Sequence, residues 1–366
     1  MEEKDRTRDW IFLMAEREEW SVPGSCEEKV ERILEELPDR MGKEKRMMLG
    51  RKRILLLAVG FAALLGMTAA AAGIFRWREQ AVKNFGNPTE EEQQEMVTEG
   101  MAREQTAVAS DAGITITAEQ TVQDDHTLYI LLKVQTEEEI IDGNGAFDNP
   151  DLDGNYGEPW ILTSDEEAFS NVSMGFSPDT PSFGDLDKQG FYEIQALKSM
   201  DREWKEESVT VHFTEYSYYT YENGDTIPHK IQGDWSLTLP LGEETHVKTN
   251  CYELEEPVEI AGMSVQVKRV ELSPLSLVLV FDMDDLLQLE ETLYAEEKDV
   301  YLYETACSGF LDQNGQKILT GTGGQSGAYD YENREIINQI GLGKYIDPDQ
   351  ITGVLLGEEG VVVPLQ

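Results

Sequence analysis

The hydrophobic pattern changes character along the chain, and each change predicts a different kind of element. Val30, Ile33, Leu34 and Leu37 recur at i, i+3, i+4 and i+7, which makes one apolar stripe on a short helix. Ser25-Cys26-Glu27-Glu28 supplies a capping box at its start, and Pro38 ends it. Trp10, Leu13 and Met14 form a second amphipathic stretch, separated from the first by Val22-Pro23-Gly24. Residues 54–74, from Ile54 through Leu64 and Leu65 to Ile74, carry no charge. As a helix this run is roughly 31 Å long, which matches the hydrocarbon core of a bilayer.

Beyond the apolar run, Pro88-Thr89-Glu90-Glu91-Glu92 is a second capping box, so a juxtamembrane helical stalk is expected to run to about Arg103. From residue 113 the period becomes two. Ile114, Ile116 and Ala118 alternate with Thr115, Thr117 and Glu119, and Asp124-Asp125 turns the chain into a strand over 127–135. Further strands are expected at 191–197, 208–216 and 235–241, with a polar, loop-rich insert over about 140–188. A second β-rich unit is expected from about residue 245, with strands at 246–254, 258–272, 276–282, 300–311, 317–322 and 351–356 and a hairpin corner at Ser273-Pro274-Leu275.

The fold class that follows is a mainly β extracytoplasmic part, two antiparallel, immunoglobulin-like sandwich modules, with a short helical cytoplasmic arm and one transmembrane helix. The boundaries are 1–53 for the arm, 54–74 for the span, 75–105 for the stalk, 106–243 for the first β-rich domain and 244–366 for the C-terminal domain.

Charge orients this layout. Six basic residues, Lys43, Lys45, Arg46, Arg51, Lys52 and Arg53, precede the span and three, Arg76, Arg78 and Lys83, follow it, so the N-terminus is expected in the cytoplasm of a single-pass cell-membrane protein. The net charge of −42 is concentrated after residue 74. Direct nucleic-acid binding is thereby disfavoured, because such affinity comes from Lys and Arg displacing counterions on phosphate. Residues 1–42 are themselves net acidic. Anionic lipid would repel that arm and a basic protein surface would attract it, so its apolar stripe reads as a partner-binding face, with a self-contained helical hairpin as the alternative.

Catalytic chemistry finds little support. Gly324-Gln325-Ser326-Gly327-Ala328 lacks the final glycine of a nucleophile elbow and reads as a loop. His126, His212, His229 and His246 are scattered singly, and no enzyme or cofactor is expected. Asn149, Asp151 and Asp153, with Asn155 and Glu158 as additional oxygen donors, are the candidate for calcium, although Trp160 stands where a bidentate Glu is required; the alternative is an acidic surface loop. Tyr216, Tyr218, Tyr219 and Tyr221 with Trp235 offer either sheet packing or an aromatic face for a glycan or peptide. Cys251 and Cys307 share the extracytoplasmic side and are the candidate disulfide, with free thiols as the alternative.

The order of parts is itself informative. The arm with Val22-Pro23 before Glu27-Glu28-Lys29-Val30-Glu31-Arg32-Ile33-Leu34, the basic cluster, the apolar run, and Gly113-Ile114-Thr115-Ile116 leading into Leu128-Tyr129-Ile130 resemble the family called domain of unknown function 4179. That resemblance covers residues 20–140. It implies a membrane-bound, anti-sigma-factor-like regulator of Gram-positive bacteria, whose partner is an extracytoplasmic-function sigma factor. Val30, Ile33, Leu34 and Leu37 would then touch the sigma factor, and the outer domains would sense the envelope; Trp10, Leu13 and Met14 of the other amphipathic stretch are further partner-binding candidates. The alternative is a surface-anchored β-sandwich module that binds a glycan, peptide or calcium without signalling.

Overall fold

A computed structural model describes residues 75–366 apart from 142–144, 149–159, 163–167, 177–184, 201–203, 205, 223–224, 242–246, 296–304, 321–323, 358 and 366. Residues 1–53, expected as a cytoplasmic arm, and the apolar run 54–74 lie outside the described residues. Among the described residues no helix is long and apolar enough to cross a membrane.

Where a stalk is expected, two short helices form instead: α1 (Glu79–Asn84) and α2 (Glu90–Thr98). The capping box that opens α2 is made as the sequence predicts, with Thr89 Oγ1 accepting from the Glu92 amide and the Glu92 carboxylate accepting from the Thr89 amide. Each helix is stopped by a glycine at positive φ, Gly86 (73°) and Gly100 (74°). The carbonyls of the last turns are taken by Asn87 N to Val82 O and by Met101 N to Met96 O, both at 2.9 Å, so the chain turns out of each helix and cannot continue as one rod.

The first sandwich follows. Its strands are β1 (Ala102–Glu104), β2 (Val108–Asp111), β3 (Ile114–Gln123), β4 (Thr127–Thr136), β5 (Ala146–Asp148), β6 (Trp160–Leu162), β7 (Phe169–Phe176), β8 (Gln189–Lys198), β9 (Ser208–Glu222) and β10 (Asp225–Pro240). One sheet has the order β1-β3-β4-β8-β7, with β2 also on β3, and the facing sheet runs β10-β9-β5, with β6 also on β9; every pairing is antiparallel. Ile116, Leu132 and Ile194 from one sheet meet Val211, Phe213 and Leu237 from the other in a single buried cluster. Phe147 sits among the rings of Tyr192, Phe213, Tyr216 and Trp235, with centroids 4.7–5.8 Å away. The insert expected to be loop-rich thus supplies three strands and the central ring of the core.

Two of the five aromatic residues singled out by sequence are members of the core. Tyr216 and Trp235 are fully buried, which is core packing, and the Trp235 indole N–H donates to the carbonyls of Asp111 and Ile114. Strands β9 and β10 run well beyond the expected 208–216 and 235–241, and in the added length Tyr218 stacks on the His229 ring at 4.7 Å.

The second sandwich contains β11 (Asn250–Glu253), β12 (Val258–Ile260), β13 (Met263–Val265), β14 (Val267–Leu272), β15 (Ser276–Asp282), α3 (Met283–Ala295), β16 (Cys307–Asp312), β17 (Lys317–Ile318), β18 (Gln325–Asp330), β19 (Glu335–Gly341), β20 (Ile351–Leu356) and β21 (Val361–Pro364). One sheet is ordered β11-β14-β15-β19-β18 and another β17-β16-β20-β21, with β12 and β13 as a separate hairpin. Leu277, Leu279 and Phe281 pack against Phe310, Val354 and Leu356. Helix α3, which the strand pattern does not anticipate, adds Leu286, Leu289 and Leu293 to that core. It starts where Asp282 Oδ1 accepts from the amides of Asp284 and Asp285. The segment 325–328, read as a loop, is instead the edge strand β18 paired along β19. The single strand expected over 258–272 is three, because Ala261 and Gly262 at positive φ make a turn between β12 and β13.

A third core cluster lies on the outer face of the first sandwich, and a change of parity puts it there. Along β3, Ile114, Ile116 and Ala118 face the inner core, but the register slips by one residue between Ala118 and Gln120. That bulge turns Gln120 and Val122 outward, where unbroken alternation would have kept them inward. Val122, Tyr129 and Leu131 then receive Ala81 and Phe85 of the α1 segment, Met96 of α2, and Leu275 and Tyr345 from the second sandwich. The collar formed by residues 75–104 therefore touches both sandwiches.

Candidate functional site: the polar junction between the sandwiches

The row of residues that cross-strand pairing aligns on the second sandwich is Cys251, Glu271, Val278, Gln339 and Ser326, one each from β11, β14, β15, β19 and β18. Against it sit the β3–β4 turn and the ends of β7 and β8. Gln339 is buried, and its carboxamide nitrogen donates to the carbonyls of His126 and Lys198, both at 2.9 Å. Its oxygen accepts from the Ser170 hydroxyl at 3.1 Å. One side chain thus completes three strand ends of the other module.

Asp124 is the centre of the junction and is fully buried. Its Oδ1 accepts from the His126 and Thr127 amides and the Thr127 hydroxyl, which builds the β3–β4 turn. Its Oδ2 reaches across to accept from the Leu275 amide at 3.0 Å and the Ser276 hydroxyl at 2.7 Å. The residue read from sequence as a turn former is therefore also the cross-module acceptor. A carboxylate buried without a direct cation is tolerable only when its lone pairs are filled in this way.

Three charged groups surround it. His126 Nε2 lies 3.4 Å from Glu271 Oε2. Burial alone would lower the imidazole, but the bond to Glu271 and the charges of Asp124, Glu271 and Asp125 outweigh it and hold it above its ordinary value. His126 correspondingly holds the Glu271 carboxyl below its usual range against the opposing effect of burial, with help from Arg269. Lys198 is 4% exposed; its ammonium donates to Gln123 Oε1 at 3.2 Å and to the Asp124 carbonyl at 2.5 Å and stands 4.5 Å from the centre of the Trp204 ring. Burial lowers it to about 8, despite the charges of Asp124 and Asp125. At the rim, Thr249 bonds both Asp125 and Ser273. Chemically, the arrangement joins two modules through groups that change protonation near neutral pH.

The residues singled out by sequence fall elsewhere. Trp10, Leu13, Met14, Val30, Ile33, Leu34 and Leu37 lie outside the described residues, as do Asn149, Asp151, Asp153, Asn155 and Glu158. Among the described residues no group of three or more His, Cys, Asp or Glu is placed to hold a metal ion. Cys251 on β11 and Cys307 on β16 belong to different sheets and are both free thiols, so the candidate disulfide is not formed. Burial pushes the Cys307 thiol up to about 12. Nothing in the local pattern of Gln339, Lys198 or Ser276 marks them as junction residues, whereas the buried side of Asp124 has one cue, an Asx turn between two apolar strands.

No family model matches the chain, and no curated protein sequence matches it. Among solved structures, the crystal structure of the conserved domain protein from Bacillus anthracis is similar with a TM-score of 0.41 at 12% sequence identity, over 70% of this chain and 77% of that one.

Proposed function

We propose that this protein is a single-pass membrane regulator of the anti-sigma-factor kind. Its cytoplasmic helices sequester an extracytoplasmic-function sigma factor, and its two outer sandwiches, which we assign to the immunoglobulin-like type, report on the envelope. The observation that carries this reading is the order of parts: an acidic arm with an apolar stripe, a basic cluster, an uncharged run of bilayer length, and a mainly β body. The resemblance of residues 20–140 to the domain of unknown function 4179 family points the same way. Release of the sigma factor would follow from a change in the outer body that reaches residue 75.

The test uses the full chain in detergent, presented with each sigma factor encoded by the same genome. Capture of one of them, abolished by both Ile33→Asp and Leu37→Asp, supports the assignment and maps the contact face. Absence of capture, with the arm's helices present by circular dichroism, moves the assignment to a surface-anchored binding module without a signalling role.

A further inference from the structure

The strap of chain that leaves the apolar run, Phe75 to Arg78, is bound to the first sandwich, with no free linker between. Gln120, fully buried, faces it with both ends of its carboxamide: Oε1 accepts from the Arg78 amide at 3.0 Å and Nε2 donates to the Arg76 carbonyl at 2.6 Å. A side chain here imitates the partner strand of a β-ladder. Glu104 Oε1 accepts from the Arg76 amide at 2.9 Å, and the Arg78 guanidinium pairs with Glu119. Glu119 is the extra residue of the β3 bulge and Gln120 the first residue it redirects, so the strap's seat exists because of that one-residue slip. Phe75 and Trp77 pack edge to face at 5.2 Å and rest on the third core cluster.

That cluster is shared. Leu275 and Tyr345 of the second sandwich enter it beside Phe85 and Tyr129, and the Tyr345 amide donates to the Phe85 carbonyl at 3.2 Å. Leu275 is also the residue whose amide Asp124 binds at the junction. The strap's seat and the junction therefore meet at the same short corner, Ser273-Pro274-Leu275. Withdrawing the second sandwich would remove Leu275 and Tyr345 from the cluster on which Phe75 and Trp77 rest.

We propose that the strap Phe75–Arg78 is a latch whose docking on the β3 bulge is linked to closure of the junction, so that parting the two sandwiches frees the chain entering the apolar run. This deepens the regulator reading by naming how the outer body would reach the inner arm, and it rests on that reading for its biological meaning. The linkage itself is a property of residues 75–366. Coupling of this kind is reciprocal: whatever factor the junction contributes to strap docking, the strap contributes to junction closure.

Hydrogen exchange of the full chain in detergent tests it. Gln339→Ala removes three junction bonds without touching the strap, and Ser276→Ala is a milder second variant that loses one. The expected result is faster exchange of the Arg76 and Arg78 amides, by roughly tenfold for Gln339→Ala, while Leu132 in the first core and Leu279 in the second stay protected and show that both modules remain folded. Conversely, Gln120→Ala should speed exchange of the Leu275 amide by a similar factor. Strap exchange unchanged in both junction variants overturns the proposal. Sigma-factor capture is not read in this experiment, so failure of the linkage and failure of the regulator assignment are separate results.

Discussion

Lys198 allows a prediction whose size and sign both follow from the structure. In the unfolded chain a lysine titrates near 10.5, whereas the buried ammonium at the junction is lowered to about 8. A base whose folded value is depressed binds its proton less tightly when folded. Below pH 8 both states are charged and the folded chain bears the full cost of the buried charge. Between about pH 8 and 10.5 the folded chain sheds the proton while the unfolded chain keeps it, so this group makes stability rise with pH. The lowering from 10.5 to about 8 corresponds to roughly 3 kcal/mol. Because the side chain is almost wholly buried, little of this is screened by solvent.

Lys198→Met keeps the stem and removes the titration. At neutral pH the relief of about 3 kcal/mol is offset by leaving Gln123 Oε1 and the Asp124 carbonyl short of a donor, at about 1–3 kcal/mol for each unsatisfied group. The variant should therefore unfold close to wild type at pH 7, and the informative quantity is the slope. Urea unfolding of the full chain in detergent, followed by tryptophan fluorescence between pH 7 and 10.5, gives the difference between the two proteins. Wild type should gain about 3 kcal/mol on the variant across that range. Superimposable pH profiles, or a wild type that loses ground as pH rises, would refute the burial argument.

Three further expectations bear on the junction and the two cores. The His126–Glu271 pair should show a coupling in a His126→Asn, Glu271→Gln cycle that is present near pH 6, is lost as pH rises through the raised histidine value, and is lost again in acid as the lowered glutamate takes up its proton; urea midpoints across pH 3–9 measure it. Gly233→Ala should destabilise the first sandwich by about 1–3 kcal/mol in the same assay, because the added methyl would clash with the Trp235 ring, which lies against this glycine in the β10 bulge. Alkylation of the native chain with peptide mapping should modify exposed Cys251 well before Cys307, which is only partly exposed and whose thiol is pushed up to about 12; equal rates would contradict the packing of β16.

Local rules in the sequence determined much of the β-rich body. Period-two alternation located β3 and β4, Asp124-Asp125 located their turn, and Ser276 to Asp282 matched β15 in full, since a run of apolar, β-branched residues between turn formers has few other ways to bury itself. The Thr89 capping box formed as its four residues dictate, because every partner lies within one turn of helix. Strands β5, β6 and β7 were missed, since short segments within a largely polar insert become strands by pairing with β8 and β9, and pairing energy is not a local quantity. Helix α3 was missed although Leu286, Leu289 and Leu293 carry its period, because it interrupts a region dominated by strand signals.

Only the tertiary structure decided where the modules meet. One bulge in β3 reversed which side of the sheet Gln120 and Val122 face, and that reversal made both the third core and the seat for the strap. Three residues with no pattern of their own, Lys198, Gln339 and Ser276, became a junction because strand register aligned them opposite the β3–β4 turn. Alternation in sequence specifies that a residue has a face. Which face it is, and what lies against it, depends on register and on contacts between residues more than a hundred positions apart, and those are settled by the fold as a whole.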